Sequence, residues 1–285
     1  MDLAFYYFLI LGFFIGIISG FFGIGGGIIL TPLLLILGYA PSVAIATSLM
    51  LTLGSTVSGT LSHLRLKNVV WRDSLVVGGV GIIGSTIATP LVLRLEAVNG
   101  AHLVISIVYI GLLLYFANKF LRPKSTTGEQ TGWKNRYLAL AFTGLFAGFI
   151  SSLLGVSGGF IITPLLVGIV GYELKRAVGT SIASALLIVL SGLVNYTVAS
   201  TNIDILVGIM LIVGALLGAP IGAKQLTHFE SPFVKKYLGI FYLTVAISVL
   251  LEVIGWNVAS LSVLVALSLI FLLTLLIYSR RRTNG

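Results

Sequence analysis

The chain has 285 residues, of which 58% are apolar and 9% are charged, and its mean hydropathy is +1.13. A soluble fold of this length has too little interior for so much apolar surface, so the composition excludes a soluble globular protein and indicates a membrane protein. The net charge of +9 comes from basic residues in loops and at the C-terminus, which is typical of the positive-inside bias of membrane proteins rather than of nucleic-acid binding. The absence of cysteine excludes disulfides, thiolate metal sites and the transfer of sulfur between thiols.

Nine apolar runs follow one another along the chain, and their lengths favour helices over the short strands of a barrel. In chain order they are residues 4–37, 42–64, 74–93, 101–120, 137–170, 177–200, 203–223, 234–251 and 258–278. A helix of about 20 residues crosses a hydrocarbon core about 30 Å thick. The first and fifth runs exceed one crossing, so each is predicted to bend back as a broken, re-entrant hairpin. We therefore expect an all-α polytopic membrane protein embedded in a lipid bilayer.

The positions of the basic residues predict the orientation of these helices. Loops rich in lysine and arginine are expected on the cytoplasmic side. These basic residues are Arg65, Lys67, Arg72, Lys119, Arg122, Lys124, Lys134, Arg136, Lys175, Arg176, Lys224, Lys235, Lys236 and Arg280 to Arg282. The loops alternate correctly if each long run leaves the membrane on the side where it entered, the first run outside and the fifth in the cytoplasm. This places the N-terminus outside and the C-terminus in the cytoplasm. The N-terminal MDLAFYYFLILGFF lacks a basic n-region and a cleavage site, so we expect it to be retained.

One phrase occurs twice in the chain. Residues 20–35 read GFFGIGGGIILTPLLL and residues 152–167 read SLLGVSGGFIITPLLV, and other matched pairs follow in the same order, such as residues 46–48 with residues 179–181. Together with the opposite loop charges, this predicts an inverted repeat, the plan of many secondary transporters. Each half is a broken hairpin plus three transmembrane helices. The predicted units are residues 1–120 and 137–252 as the two repeats, 121–136 as a cytoplasmic linker, and 253–285 as an extra helix with a basic tail.

The glycines of the repeated phrase fall into two sets. Spacing of the small-xxx-small kind predicts close helix packing at Gly12, Gly16, Gly20, Gly144, Gly148 and Ser152. The second set is too dense for a stable helix and comprises Gly23, Gly25, Gly26, Gly27, Gly155, Ser157, Gly158 and Gly159. Open backbone at membrane depth is tolerated only where protein or a water-filled cavity supplies partners. The breaks are therefore interpreted as a substrate site, with a structural hinge as the alternative.

Thr31-Pro32 and Thr163-Pro164 match an N-cap followed by proline at the first helical position. A helix that begins there presents free N–H groups and a partial positive charge, which suits an anion. The hydroxyls about one turn into the next helices either join this site or bond back to their own helices. The candidate substrate-binding residues are Gly25, Gly26, Gly27, Thr31, Thr47, Ser48, Ser157, Gly158, Gly159, Thr163, Thr180 and Ser181.

Polar residues near helix ends have two interpretations each. Asn195 and Tyr196 align with Ser62 and His63, and each either belongs to a gate or sits at the membrane interface. Arg94 and Lys224 follow matched prolines at equal spacing, and they either draw anions toward opposite mouths or snorkel to the surface.

Enzymatic and metal-binding motifs are weak. GIGGGI fails the dinucleotide fingerprint because residue 28 is isoleucine. Residues 155–159 resemble the nucleophile motif of intramembrane serine proteases, but the residue aligned with Ser157 is Gly25 and the only later histidine is His228, in a loop. The three histidines are scattered, so neither a metal nor another cofactor is indicated. Glu96, Glu173, Asp204 and Glu252 all lie at helix ends, which favours uniport or loose proton linkage over a buried carboxylate relay.

The duplicated pattern at residues 23–34 and 155–166, followed by A/G-T-S at 46–48 and 179–181, resembles the TauE/SafE sulfite exporter family over nearly the whole chain. The resemblance implies a permease of the cell inner membrane for sulfite, a sulfonate or another small anion. By motif position it points to ten of the candidates, which are Gly25, Gly26, Gly27, Thr31, Ser48, Ser157, Gly158, Gly159, Thr163 and Ser181. Ser157 and Ala46 depart from the glycine of the other copy. We expect alternating access around both breaks, with an intramembrane protease and a non-transporting scaffold or sensor as the alternatives.

Overall fold

Eleven α-helices form among the residues that the computed structural model describes, which are 3–98, 100–122, 135–199 and 204–283. In chain order they are α1 (Leu3–Phe22), α2 (Gly27–Ile36), α3 (Pro41–Arg65), α4 (Trp71–Ala97), α5 (Ala101–Leu121), α6 (Arg136–Leu154), α7 (Gly159–Leu165), α8 (Leu174–Val198), α9 (Ile205–Leu226), α10 (Ser231–Val253) and α11 (Asn257–Thr283). A π-helical turn, Leu166–Val170, continues α7. Most of the predicted linker, residues 123–134, lies outside the described residues.

The prediction of an all-α polytopic membrane protein is confirmed. Eight of the described helices are long and apolar enough to cross a membrane, and three shorter apolar helices span Tyr6–Phe22, Gly27–Ile36 and Gly159–Val170. Both long apolar runs are divided into two helices, α1 with α2 and α6 with α7. Side chains set two of the helix starts: the Asn135 carboxamide oxygen accepts from the Tyr137 N–H, and the Asp204 carboxylate accepts from two N–H groups of α9.

Small residues bring α1 against α9 and α6 against α4, as the glycine spacing predicts. A Cβ added to Gly20 would lie 2.0 Å from the carbonyl oxygen of Ala219, and one added to Gly148 would lie 1.9 Å from that of Gly81. Along each pair of helices, the residue numbers of the two contacting residues rise together. The two helices of a pair are therefore parallel. Larger side chains at these positions would force the backbones apart.

The remaining helices enclose the breaks. α3 packs against both α8 and α9, α8 packs against α4, and α5 packs against α10. The last helix, α11, lies on α10 and α2, where Phe271 joins a cluster of aromatic rings with Phe22 and Phe241. The core therefore surrounds the two loops that separate α1 from α2 and α6 from α7.

Candidate functional site

The first break consists of residues 23–26, between α1 and α2. Gly23 and Gly25 have φ of +69° and +73°, a region that side chains strongly disfavour. Helix α2 begins at Gly27, whose N–H donates to the Thr52 hydroxyl on α3 at 3.0 Å. A hydroxyl from a neighbouring helix therefore satisfies one of the N–H groups that the start of α2 leaves open.

The second break consists of residues 155–158, between α6 and α7. Its left-handed residues are Gly155 and Gly158, with φ of +71° and +72°. The φ of Ser157 is not positive, so this position can hold a serine although the aligned residue of the first break is Gly25. The Ser157 hydroxyl accepts from the Gly159 N–H at 3.1 Å and donates to the carbonyl oxygen of Ile24 at 2.8 Å. One side chain thus caps α7 and binds the other break.

The prediction that Thr31 and Thr163 are N-caps is wrong. Both lie inside their helices, which begin four residues earlier at Gly27 and Gly159. The helices form one turn sooner because the hydroxyls of Thr52 and Ser157 already satisfy their first N–H groups. Thr31 instead donates to the carbonyl oxygen of Gly155 at 3.3 Å.

The prolines consequently lie in the second turn of each short helix, where they remove a backbone donor. Pro164 leaves the carbonyl oxygen of Phe160, four residues earlier, without its usual N–H. The Tyr242 hydroxyl on α10 donates to that oxygen at 3.0 Å. In the first half, Tyr109 on α5 donates to the carbonyl oxygen of Gly27 at 3.3 Å. Neither tyrosine was predicted from the sequence, although their equivalent places in the two halves were a usable signal.

The two breaks contact each other directly. A Cβ on Gly27 would lie 1.9 Å from the carbonyl oxygen of Gly155, and one on Gly159 would lie 2.3 Å from that of Gly23. A Cβ on Gly25 would lie 2.2 Å from the Ser157 hydroxyl. We call this contact, residues 23–27 with 155–159, the glycine junction. It brings together the six junction residues named as candidates, and all of them are buried.

The glycine junction contains backbone donors without an acceptor. Among the described residues, no hydrogen bond is donated by the N–H groups of Gly25, Gly26 or Gly158. Buried N–H groups are normally paired, so this cluster of donors is unusual. Ser48 adds a hydroxyl that is fully buried and has no partner in the described part of the chain. Ser48 lies about one helical turn after Ile45, whose backbone is next to Gly155.

The other predicted hydroxyls have different surroundings. Thr163 and Ser181 bond each other at 2.8 Å, and Ser181 also donates to the carbonyl oxygen of Val178. Thr180 accepts from the N–H of Val70 at 3.1 Å, in the connection between α3 and α4. Thr47 is buried on α3 beside Ser48.

A polar cluster that the sequence analysis missed joins the ends of three elements. Arg136 on α6 donates to the carboxylate of Asp73 on α4 at 2.6 Å and to the Tyr172 hydroxyl at 2.7 Å. The Tyr172 hydroxyl in turn donates to Asp73. Burial, together with the Asp73 carboxylate, raises the pKa of Tyr172 to about 12. No group of acidic, histidine or cysteine side chains suited to a metal occurs within the described ranges.

Comparisons with known proteins point to one family. A profile of the family described as Sulfite exporter TauE/SafE matches residues 8–249. The chain is 28% identical over 200 residues to the probable membrane transporter protein MJ0441 of Methanocaldococcus jannaschii, covering 68% of this chain and 73% of that protein. It is 27% identical to the probable membrane transporter protein YdhB of Bacillus subtilis, with 84% and 96% covered. A probable membrane transporter protein of Haemophilus influenzae is 25% identical, with 86% and 97% covered. No solved structure matches the chain.

Proposed function

Since the chain belongs to the TauE/SafE sulfite exporter family of membrane transporters, which are not enzymes, we propose that it is a secondary transporter for a small anion. Sulfite and sulfonates are the first candidates, because the family description names sulfite. The observation that carries the proposal is the glycine junction, with its buried N–H donors and the free Ser48 hydroxyl.

The chemistry of the glycine junction suits an anion that must also be released. Backbone N–H groups and a hydroxyl donate hydrogen bonds to an oxyanion without supplying a full positive charge. A buried lysine or arginine would bind the same anion more strongly and would retard its release. The candidate site is proposed to comprise Ser48 and the junction, with Thr31 at its edge. Thr47, Thr163, Thr180 and Ser181 are proposed to shape its walls.

We further propose that residues 1–120 and 137–252 form an inverted repeat. In such a repeat α1, α3 and α4 correspond to α6, α8 and α9. The packing of α1 on α9 then corresponds to that of α6 on α4, and the packing of α3 on α9 to that of α8 on α4. All four pairs are in contact. This pattern and the repeated sequence phrases support re-entrant hairpins that enter from opposite sides. The basic loops support an N-terminus outside and a C-terminus in the cytoplasm of a cell inner membrane, with residues 121–136 as linker and 253–285 as the added helix and tail.

Burial of the proposed site supports transport by alternating access. Every residue of the glycine junction is buried, so this conformation admits no anion from either side. Rocking of one repeat against the other would open the site to each side in turn. The two breaks belong to different repeats, so they would separate during that motion.

The test is uptake of labelled sulfite and of a labelled sulfonate into proteoliposomes, compared with empty liposomes. Ser48→Ala removes a hydroxyl that has no partner among the described residues, so the fold should tolerate it. Loss of that donor is expected to weaken anion binding by about 1 kcal/mol, or about fivefold in KM. Ser106→Ala is the matched control, because its hydroxyl is also buried and without a partner in the described chain but lies on α5.

Saturable uptake that Ser48→Ala weakens and Ser106→Ala leaves unchanged is the expected result. Uptake unaffected by Ser48→Ala would contradict the assigned site. An intramembrane protease is disfavoured because the Ser157 hydroxyl is engaged by Ile24 and Gly159, with no histidine among its partners. A scaffold or sensor would show no uptake of any small anion.

A further inference from the structure

One face of α3 carries a row of small and polar side chains. Ser48, Thr52, Ser55, Gly59 and His63 follow at steps of four, three, four and four residues, which places them on the same side of the helix. All five are buried. The row, which we call the polar face of α3, begins at the glycine junction, where Thr52 accepts from Gly27. It ends two residues before the last residue of the helix, Arg65.

The polar face of α3 contains donors that the protein does not use. Besides Ser48, His63 on this face has a buried polar atom without a hydrogen-bond partner among the described residues, and so does Thr60, the residue after Gly59. The Nδ2 amide group of Asn68 lies 3.3 Å from Nδ1 of His63. Because that group only donates, Nδ1 is the acceptor and the imidazole proton is on Nε2. The backbone of Gly20 lies close to the imidazole, and Nε2 has no hydrogen-bond partner of normal geometry among the described residues.

Apolar side chains of α8 close this row. A Cβ on Gly59 would lie 3.2 Å from Cγ2 of Ile182, and one on Gly23 would lie 2.6 Å from Cγ1 of Val178. These two α8 side chains therefore stand between α8, the polar face of α3 and the first break. In this part of α8 the hydrogen bonds go from Val70 and Ser74 to Thr180, and none among the described residues reaches the polar face of α3.

The equivalent row on α8 is built differently. Counted from Ser181, it consists of Ala185, Ile188, Gly192 and Tyr196, so its middle is apolar. Tyr196, the counterpart of His63, donates to the carbonyl oxygen of Ser152 at 2.7 Å. The α8 row therefore ends in a hydrogen-bonded hydroxyl, whereas the α3 row ends in an imidazole whose Nε2 has no partner among the described residues. The repeat alone would not create this difference.

We propose that the polar face of α3 is the cytoplasmic half of the anion pathway, leading from the glycine junction to His63, and that Val178 and Ile182 close it. This inference rests on the proposed transport function. The Nε2–H of His63 and the hydroxyl of Thr60 donate to an anion passing the mouth, as Ser48 does at the inner end. His63 is thus an anion-binding residue at the mouth.

Cysteine accessibility tests the pathway without requiring transport, because the chain has no cysteine of its own. Ser55→Cys places a thiol on the polar face. Val57→Cys is the control at the same depth, on the partly exposed side of α3, and Leu66→Cys reports the adjoining loop. Each variant is treated in sealed vesicles of known orientation with anionic sulfonatoethyl or cationic trimethylammonioethyl methanethiosulfonate.

The expected result is modification of Ser55→Cys from the cytoplasmic side only. The ratio of anionic to cationic rates should be at least about tenfold higher than at Leu66→Cys, since the pathway selects anions. Val178→Ala should accelerate the reaction at Ser55→Cys several-fold and leave Val57→Cys unreactive. A Ser55→Cys thiol that stays unreactive beside Val178→Ala, or that reacts from the outside, would overturn the proposed pathway.

The same preparations separate this inference from the proposed function. Anion uptake with an unreactive Ser55→Cys would refute the pathway and leave transport intact. Anion-selective modification without uptake would refute the transport proposal. A further variant, His63→Gln, keeps a donor at the mouth and should retain the anionic preference, whereas His63→Leu should lower it toward the ratio found at Leu66→Cys.

Discussion

The Ser157 hydroxyl donates to the carbonyl oxygen of Ile24 at 2.8 Å and so joins two helix breaks that are 133 residues apart in sequence. The bond is buried and connects the predicted repeats at the point where both backbones are open. The same hydroxyl accepts from the Gly159 N–H, so it also fixes the start of α7. Position 157 therefore contributes to local helix formation and to contact between the halves.

Ser157→Ala is expected to lower stability, because it removes both hydrogen bonds and leaves a buried carbonyl and a buried N–H. The loss should be about 1–3 kcal/mol. The thermal unfolding midpoint in detergent measures it. Ser262→Ala on α11 is the control, since its hydroxyl is exposed and bonds only its own helix at Val258, and it should change the midpoint little. Equal midpoints for Ser157→Ala and wild type would contradict a stabilising role.

Gly27→Ala is expected to disrupt the glycine junction. Its Cβ would lie 1.9 Å from the carbonyl oxygen of Gly155, and backbone cannot move aside as a side chain can. Gly79→Ala on α4 is the matched control, because a Cβ there meets nothing within 4 Å and alanine favours a helix by about 1 kcal/mol. Purified yield and unfolding midpoint should fall for Gly27→Ala and hold or rise for Gly79→Ala. An intact Gly27→Ala protein would show that the halves are not in close contact.

Sequence patterns predicted the large features of this fold for clear physical reasons. Long apolar runs must be membrane helices, and glycines as dense as those at residues 23–27 cannot continue a helix. The spacing of Gly12, Gly16 and Gly20 predicted close packing because small residues four apart share one face. Each of these signals is local, and the structure confirms each of them.

Features that depend on distant residues were not predictable in the same way. The start of α2 differs from the Thr31 prediction because Thr52, on another helix, supplies the first acceptor. The cluster of Asp73, Arg136 and Tyr172 joins three separate segments, and its charges resemble ordinary loop charges in the sequence. The sequence also could not predict that the Ser48 hydroxyl lacks a partner among the described residues. Its counterpart Ser181 follows a threonine in the same way, but its hydroxyl is hydrogen-bonded to Thr163 and Val178.

Tyr242→Phe is expected to destabilise α7 by about 1 kcal/mol, because the carbonyl oxygen of Phe160 then loses its donor. The cause can be isolated with Pro164→Ala, which restores a backbone N–H that can reach the same oxygen. The double variant should therefore lose less stability than the two single changes predict together. Unfolding midpoints of the four proteins measure the coupling. Additive effects would show that the tyrosine does not replace the donor missing at Pro164.

Tyr172→Phe tests the polar cluster through its pH dependence. The pKa of Tyr172 is raised from 10.0 to about 12, first by burial and then by Asp73, so the phenol stays protonated and donates to the carboxylate. A group with a raised pKa in the folded state contributes stability below its unfolded value and loses that contribution as pH rises through the folded value. The destabilisation caused by Tyr172→Phe should therefore be constant from pH 6 to 9 and should shrink between about pH 10 and 12.

Unfolding midpoints of wild type and Tyr172→Phe across that pH range measure this difference. Tyr39→Phe is the control, because Tyr39 occupies the matching corner after α2, is exposed, and has no side-chain hydrogen bond in the described chain. It should leave the midpoint unchanged at every pH. A Tyr172→Phe effect that persists undiminished at pH 12 would show that the phenol acts through packing and not through its proton. The Arg136–Asp73 ion pair would then hold α6 to α4 without assistance from the tyrosine.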